Sequence, residues 1–159
     1  MNDFGPIINE DLLNYQTQRL QDLIEQMLHC CEDRKSYISQ KFDIPAAELK
    51  CLMLFGGERY LTVKGIAQKL EVAKSRVTKI VNGLVEKGLV AQIDDPKDGR
   101  IRLISLTPAG HKKSDEIDAF RKEIHREILL HMGVDERKNV LSYLEVLRSA
   151  MEALKEQLV

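Results

Sequence analysis

The sequence lacks the features that mark membrane-bound and exported proteins. No apolar run reaches the roughly 18 residues that predict a membrane-spanning helix. The first residues, Met1 to Pro6, have neither the basic nor the apolar segment of an export signal. Its 3 cysteines are an odd number, which argues against a disulfide scaffold. We therefore expect a cytoplasmic protein that does not bind membranes.

Motifs of catalysis and metal binding are also missing. Neither a Walker loop nor the patterns G-x-G-x-x-G and G-x-S-x-G occur, so no local signature supports an enzyme. No H-x-x-x-H or C-x-x-C pair occurs, and the neighbours His29, Cys30 and Cys31 would point about 100° apart on a helix. We expect no catalytic residues, no metal site and no cofactor.

The total charge is close to zero, but it is unevenly distributed. The 159 residues include 24 basic and 25 acidic side chains, a net charge of −1. Residues 59–113 hold 12 lysines and arginines against 5 aspartates and glutamates, whereas the remaining residues hold 12 against 20. A local basic surface attracts DNA phosphates whatever the total charge. The simpler alternative is a charged surface that only contacts solvent.

This basic segment has the pattern of a winged helix-turn-helix. Thr62 is suited to cap a short helix over residues 63–70, and a tight connection leads to a second helix from about residue 74 to 87. Two strands, over residues 89–94 and 101–106, are joined by the turn D-P-K-D-G-R. This combination predicts double-stranded DNA as the partner.

Helical periodicity separates the two faces of the second helix. Its buried face is predicted to contain Val77, Ile80, Val81 and Leu84. Hydroxyl, amide and cationic groups at the helix start and on the opposite face suit base edges and phosphates. The DNA contacts predicted there are Ser75, Arg76, Thr78, Lys79 and Asn82.

Further DNA contacts are predicted on either side of this helix. Thr62 and Lys64 begin the preceding helix and can hold phosphate. The hairpin supplies three cations that suit the minor groove, namely Lys97, Arg100 and Arg102. Asp98 is predicted to orient Arg100, because a carboxylate that faces phosphate is repelled.

Long amphipathic helices flank the basic segment. A helix from about residue 8 to 42 has one apolar stripe, and a shorter helix is predicted over residues 45–55. Thr107 and Pro108 predict the start of another helix that runs to about residue 132. Asp135 is the predicted cap of the last helix. That helix has a heptad-like seam, formed by Val140, Leu144, Leu147, Met151, Leu154 and Leu158.

These apolar stripes exceed what a small winged-helix core needs. They can pack on each other within one chain or against a second copy, and the seam favours a two-fold homodimer. Leu13 and Leu20 of the first helix are assigned to this interface together with the seam. The predicted organisation is an N-terminal dimerisation helix over residues 1–44, a DNA-binding domain over 45–110 and C-terminal dimerisation helices over 111–159. The fold class is mostly α with a small β-wing.

The chain resembles transcription regulators of the MarR family. The resemblance is carried by S-R-V-T-K-I-V-N-G-L-V-E-K-G-L-V and by D-P-K-D-G-R-I-R-L-I-S-L-T-P-A-G, and the flanking helices match in number and order. It implies an obligate homodimer that represses nearby genes through a pseudo-palindromic operator. It further implies release by a small molecule or an oxidant. Gly99 stands where many members carry another arginine, which makes the wing tip less basic.

Two alternatives remain open for the function. Some members of the family sense peroxide through a cysteine in the first helix region, and Cys30 is the candidate here because it lies off the apolar stripe. Arg34 and Lys35, one turn further on, could lower the pKa of a thiol. The other alternative is a winged-helix module that binds protein rather than DNA. The sequence does not separate a repressor from an activator.

Overall fold

A computed structural model of the chain describes residues 8–159. In chain order the elements are α1 (Glu10–Phe42), α2 (Ala46–Met53), β1 (Leu61–Thr62), α3 (Val63–Leu70), α4 (Lys74–Glu86), β2 (Val90–Asp94), β3 (Arg102–Leu106), α5 (Pro108–Leu130) and α6 (Val134–Leu158). The prediction of a mostly helical chain with a small β-wing is confirmed. The first seven residues of the segment predicted over 1–44 lie outside the described residues. Within residues 8–159, no helix combines the length and the apolar character needed to cross a membrane.

The chain divides into two compact units, Met1–His111 and Lys112–Val159. In the first unit, α2 and α3 both pack against α4, and α1 packs against α2. Leu52, Phe55, Ile66 and Leu84 are almost fully enclosed in this core. Full burial of an aliphatic or aromatic side chain of this size stabilises the fold by about 1.5–3 kcal/mol. In the second unit, α6 has no buried residue.

The helix-turn-helix is formed by α3 and α4. Thr62 caps α3, since its Oγ1 accepts the backbone N–H of Gly65 at 2.9 Å. The helix ends at Glu71, which adopts a left-handed conformation with φ 56°. There the N–H of Val72 reaches back to the carbonyl of Ala67 at 3.1 Å, which closes the last turn in the manner of a Schellman motif. The cap predicted at Thr62 and the bounds of α3 are confirmed.

The three strands form one antiparallel sheet in the order β1-β3-β2. In the wing hairpin Val90 pairs with Leu106 and Asp94 with Arg102, so each predicted strand begins one residue later than expected. The strand β1, which pairs Leu61 with Ile104, is not among the elements predicted from the sequence. A strand of two residues is too short to show the alternation that identifies strands. The wing is therefore anchored to the start of α3.

Thr107 and Gly110, in the sequence L-T-P-A-G that follows the wing, hold the start of α5 against the end of α4. The Thr107 hydroxyl donates to the Gly88 carbonyl at 2.6 Å and accepts the Gly110 N–H at 3.0 Å, so it joins the end of α4 to the start of α5. The Thr107 N–H also donates to the Leu89 carbonyl at 3.1 Å. Gly110 is buried against Leu89, where a Cβ would overlap the carbonyl oxygen.

Several predicted helix ends differ from the structure. The prediction that Asp135 caps α6 is wrong, because Gly133 is the N-cap residue and Glu136 accepts its N–H at 3.0 Å. A carboxylate three residues after the cap can reach back to the exposed N–H, whereas Asp135 already lies inside the first turn. The second helix ends at Met53 rather than at residue 55, and α5 ends at Leu130 rather than near residue 132.

We expect Gly110→Ala to lower the free energy of unfolding by about 1–3 kcal/mol, because the added methyl overlaps the Leu89 carbonyl oxygen in a close-packed region. Gly57→Ala is the matched control, since a Cβ there has no neighbour within 4 Å. Urea unfolding at fixed protein concentration, followed by circular dichroism, measures both. Equal stability of the two variants would contradict the packing argument.

Candidate nucleic-acid interface

One face of α4 is buried and the other faces solvent. Val77, Ile80, Val81 and Leu84 are buried, as the periodicity predicts. The opposite face and the helix start present five side chains that are all exposed, namely Ser75, Arg76, Thr78, Lys79 and Asn82. The Thr78 hydroxyl donates to the Lys74 carbonyl at 3.1 Å within the helix. The exposed face thus offers cationic, hydroxyl and amide groups over about two turns.

A concave surface lies between the start of α3, the exposed face of α4 and the wing. We call it the wing groove; it encloses about 480 Å³. Its lining residues are Thr62, Val63, Lys64, Lys74, Thr78, Gln92, Arg100, Ile101 and Arg102. Five of these nine residues are among the predicted DNA contacts, and the nine together include four cationic side chains.

Sequence reasoning missed two polar residues of the wing groove. Lys74 is the first residue of α4. Its position in the basic segment could have identified it from the sequence as a candidate DNA contact. Gln92 lies on β2 opposite Ile104 of β3. Its orientation toward the groove depends on strand register, which the sequence pattern did not show. Of the other predicted contacts, Ser75, Arg76, Lys79, Asn82 and Lys97 are exposed but do not line the groove.

Two aspartates organise the wing tip. Asp95 accepts the backbone N–H groups of Lys97 at 2.8 Å and Asp98 at 3.4 Å, which fixes the turn. Asp98 accepts the backbone N–H of Arg100 at 3.0 Å and its side-chain Nε at 3.1 Å. The hydrogen bonds from Arg100, the side-chain one above all, lower the pKa of the Asp98 carboxyl. The Arg100 side chain remains 92% exposed while it is held in this geometry.

The three cysteines lie in different environments. Cys30 is exposed, and Cys31 is half-buried. Arg34 donates to the Cys31 sulfur at 3.0 Å, so of the two neighbouring cysteines it is the half-buried Cys31 that the guanidinium contacts in this way. Lys35, the other predicted neighbour, is paired with Glu32 at 3.2 Å.

Cys51 is fully buried on α2. Burial raises the pKa of its thiol to about 11, and the negative charge of Glu48 contributes in the same direction. The thiolate, which is the reactive form of cysteine, is therefore scarce at neutral pH. No group of three or more His, Cys, Asp or Glu side chains with the geometry of a metal site occurs within residues 8–159.

The residues assigned to dimerisation are largely exposed in the single chain. Leu144 is 46% exposed and Leu154 is 54% exposed, and Leu13 and Leu20 of α1 have similar values. The α6 seam also lines a shallow apolar groove along Leu144, Leu147 and Met151. Exposed apolar stripes of this kind are typical of surfaces that pack against another protein segment.

Comparisons with known proteins find the same architecture. A family model described as "MarR family" matches residues 42–101. The HTH-type transcriptional repressor MdtR of Bacillus subtilis is 30% identical over 118 residues, which are 74% of this chain and 76% of that protein. A mutant of MepR from S. aureus superimposes with a TM-score of 0.77 at 20% identity, over 82% of this chain and 97% of that one. Another MepR mutant, bound to an oligodeoxyribonucleotide, gives a TM-score of 0.64 at 19% identity, over 83% and 97% of the two chains.

We expect Cys51 to resist alkylation by iodoacetamide at about pH 8 in the native protein, because it is buried and its raised pKa leaves little thiolate. The exposed Cys30 should react under the same conditions. Peptide mass spectrometry after timed quenching measures each site, and in guanidinium chloride all three cysteines should react. Native alkylation of Cys51 as fast as that of Cys30 would show that the burial argument fails.

Proposed function

The chain belongs to the MarR family of DNA-binding transcription regulators, and we propose that it acts as a homodimeric repressor of a pseudo-palindromic operator. The observation that carries this proposal is the wing groove, where Lys64, Lys74, Arg100 and Arg102 converge from separate elements next to the exposed face of α4. Four cations around one concave surface suit a polyanion backbone. The family assignment agrees with the absence of catalytic motifs.

In this proposal α4 enters the major groove with its N-terminal half. Arg76 and Lys79 donate to guanine O6 and N7, and Asn82, further along the helix, is suited to adenine. Ser75 and Thr78 contact phosphates or bases. The support is the exposure of all five side chains on a helix whose other face is fixed in the core.

The wing groove and the wing tip contact the DNA on either side of α4. Thr62 and Lys64 at the start of α3 and Lys74 at the start of α4 bind phosphate, which places the recognition helix in register. The wing inserts Arg100 into the adjacent minor groove, where the negative potential is strongest. Asp98 restricts the orientations of Arg100, so less side-chain entropy is lost when DNA binds.

Dimerisation joins two such surfaces. A helix of 25 residues with no buried side chain lacks the packing of an apolar face, which supplies most of the stability of helices in proteins. Pairing of the α6 seam, with Leu13 and Leu20 of α1, would bury the exposed apolar stripes. Two α4 helices set about one DNA turn apart then match two operator half-sites. We assign residues 1–44 and 111–159 to this function and residues 45–110 to DNA binding.

Repression and its release rest on similarity. MdtR is a transcriptional repressor, and it shares 30% identity with this chain. We propose that this protein also represses transcription, acts in the cytoplasm and leaves its operator when a small-molecule effector binds.

A titration with fluorescent duplexes tests the DNA-binding proposal. Duplexes tiled across the DNA upstream of the gene are titrated by fluorescence anisotropy at several salt concentrations. Specific binding to one pseudo-palindromic tile is expected, with a log–log salt slope of about −0.9 for each phosphate neutralised. In the same assay Arg76→Ala should cost about 1–3 kcal/mol and relax specificity at one base position.

Arg121→Ala is the matched control, since it removes an exposed arginine of α5 and should leave affinity unchanged. If Arg76→Ala weakens binding equally on every duplex, Arg76 contacts only phosphate. Weak, salt-insensitive binding of the wild-type protein to all duplexes would instead support a protein-interaction module.

The dimer interface is tested by charge placed in the seam. Leu147→Asp combined with Leu154→Asp should give a monomer, because each substitution puts a carboxylate into an apolar interface. Ser142→Asp combined with Ser149→Asp has the same seven-residue spacing on the opposite, exposed face and should remain a dimer. Light scattering after size-exclusion chromatography measures the mass. A dimer from the leucine double variant would remove the seam from the interface.

A further inference from the structure

Glu48 is the one buried charged residue among those that the structure describes, with 7% of its surface exposed. It lies on α2, and its two carboxylate oxygens accept from the Lys87 ammonium at 2.9 and 3.3 Å. Lys87 is the C-cap residue of α4, and its side chain is 36% exposed. This ion pair therefore ties the C-terminal end of α4 to α2 across 39 residues of sequence.

Gly83 provides the space for this contact. A Cβ at residue 83 would overlap the Glu48 Oε1 atom and approach its Cδ to 2.9 Å. Glycine weakens the interior of a helix relative to alanine, so its presence in α4 has a cost. Here its missing side chain forms a notch in which the carboxylate of α2 lies against the backbone of α4. Glu48, Gly83 and Lys87 together form what we call the α2–α4 clasp.

The clasp lies toward the C-terminal end of α4, whereas Ser75 and Arg76, two of the proposed DNA contacts, lie at its N-terminal end. The rise of an α-helix separates Arg76 from Lys87 by about 16 Å. A tilt of about 10° around the clasp would therefore move Arg76 by about 3 Å, the length of a hydrogen bond. Because α2 also packs against α1, a displacement of α1 can reach α4 through this contact.

We propose that Glu48 is a positioning residue, which holds Lys87 and uses the notch at Gly83 to set the angle of α4 and hence operator specificity. The inference rests on the proposed function, in which α4 reads base edges. Lys87 is then not a phosphate contact, since its ammonium is engaged by both oxygens of a buried carboxylate. Loss of the clasp affects discrimination between sequences more than the general attraction to DNA.

The test uses a duplex that the full-length wild-type protein selects from a random-sequence library, and a shuffled duplex of the same composition. Kd is measured for both at several salt concentrations, and the ratio of the two values gives the specificity. Glu48→Gln and Gly83→Ala should each lower this ratio about tenfold, the size of one good base contact. The Kd for the shuffled duplex and the salt slope should not change.

The variants are chosen so that the clasp can be separated from simple stability. In Glu48→Ala the Lys87 side chain can turn toward solvent. A methyl group added at residue 83 then no longer overlaps a carboxylate. Gly83→Ala should therefore cause no further loss of specificity in Glu48→Ala. Glu86→Gln and Lys50→Met remove single exposed charges from α4 and α2 and serve as controls, with the ratio unchanged. Circular dichroism at the assay temperature shows which variants are folded. If Glu48→Gln does not fold, the specificity ratio of Gly83→Ala alone tests the inference.

The outcomes distinguish the inference from the function on which it rests. If the wild-type protein enriches no duplex, the proposed function and the clasp both fail. If the wild-type protein does enrich a duplex, and the folded variants keep the wild-type ratio of Kd values with only a lower Tm, the clasp has a purely structural role. In that case the inference alone is wrong. A uniform loss of affinity on both duplexes, with the salt slope reduced by about one, would make Lys87 a phosphate contact and would also overturn it.

Discussion

Burial of one face of α4 is the constraint on which the candidate DNA-binding surface depends. Val77, Val81 and Leu84 are fully enclosed between α2 and α3, and each contributes about 1.5–3 kcal/mol when buried. Rotation of α4 by one residue would bury Arg76 or Lys79 without a partner, at a cost greater than the apolar gain. The core thereby decides which side chains remain exposed on the candidate DNA-binding surface, so the same helix sets both the stability of the core and the composition of that surface.

The wing groove depends on a second, smaller set of contacts. The two-residue strand β1 pairs with β3 and so holds the wing beside the start of α3. Thr107 joins the end of α4 to the start of α5, and Asp98 holds Arg100 while leaving it exposed. These contacts are made mainly by hydrogen bonds. They bring cations from several elements to one surface, which explains how a chain of net charge −1 can present a basic groove.

The last helix differs from the core of the first unit in that its apolar side chains are not buried. In α6 the apolar residues are well spaced for a seam but none is buried, whereas the first unit has a dense core of its own. Association with a second chain would therefore supply much of the stability of α6 in the proposed dimer. Under such linkage both stability and DNA binding depend on protein concentration. The acidic excess outside residues 59–113 limits non-specific attraction of polyanions to the rest of the chain.

The sequence by itself determined the helix-turn-helix, the buried face of α4 and the caps at Thr62 and Thr107, because periodicity and capping are local properties of consecutive residues. It also gave most of the cations of the wing groove. Only the tertiary structure decided the pairing of β1, the orientation of Gln92 toward the groove and the clasp between Glu48 and Lys87. Each of these depends on residues distant in the chain, whose approach is set by how the helices and strands pack, and no local pattern encodes that approach.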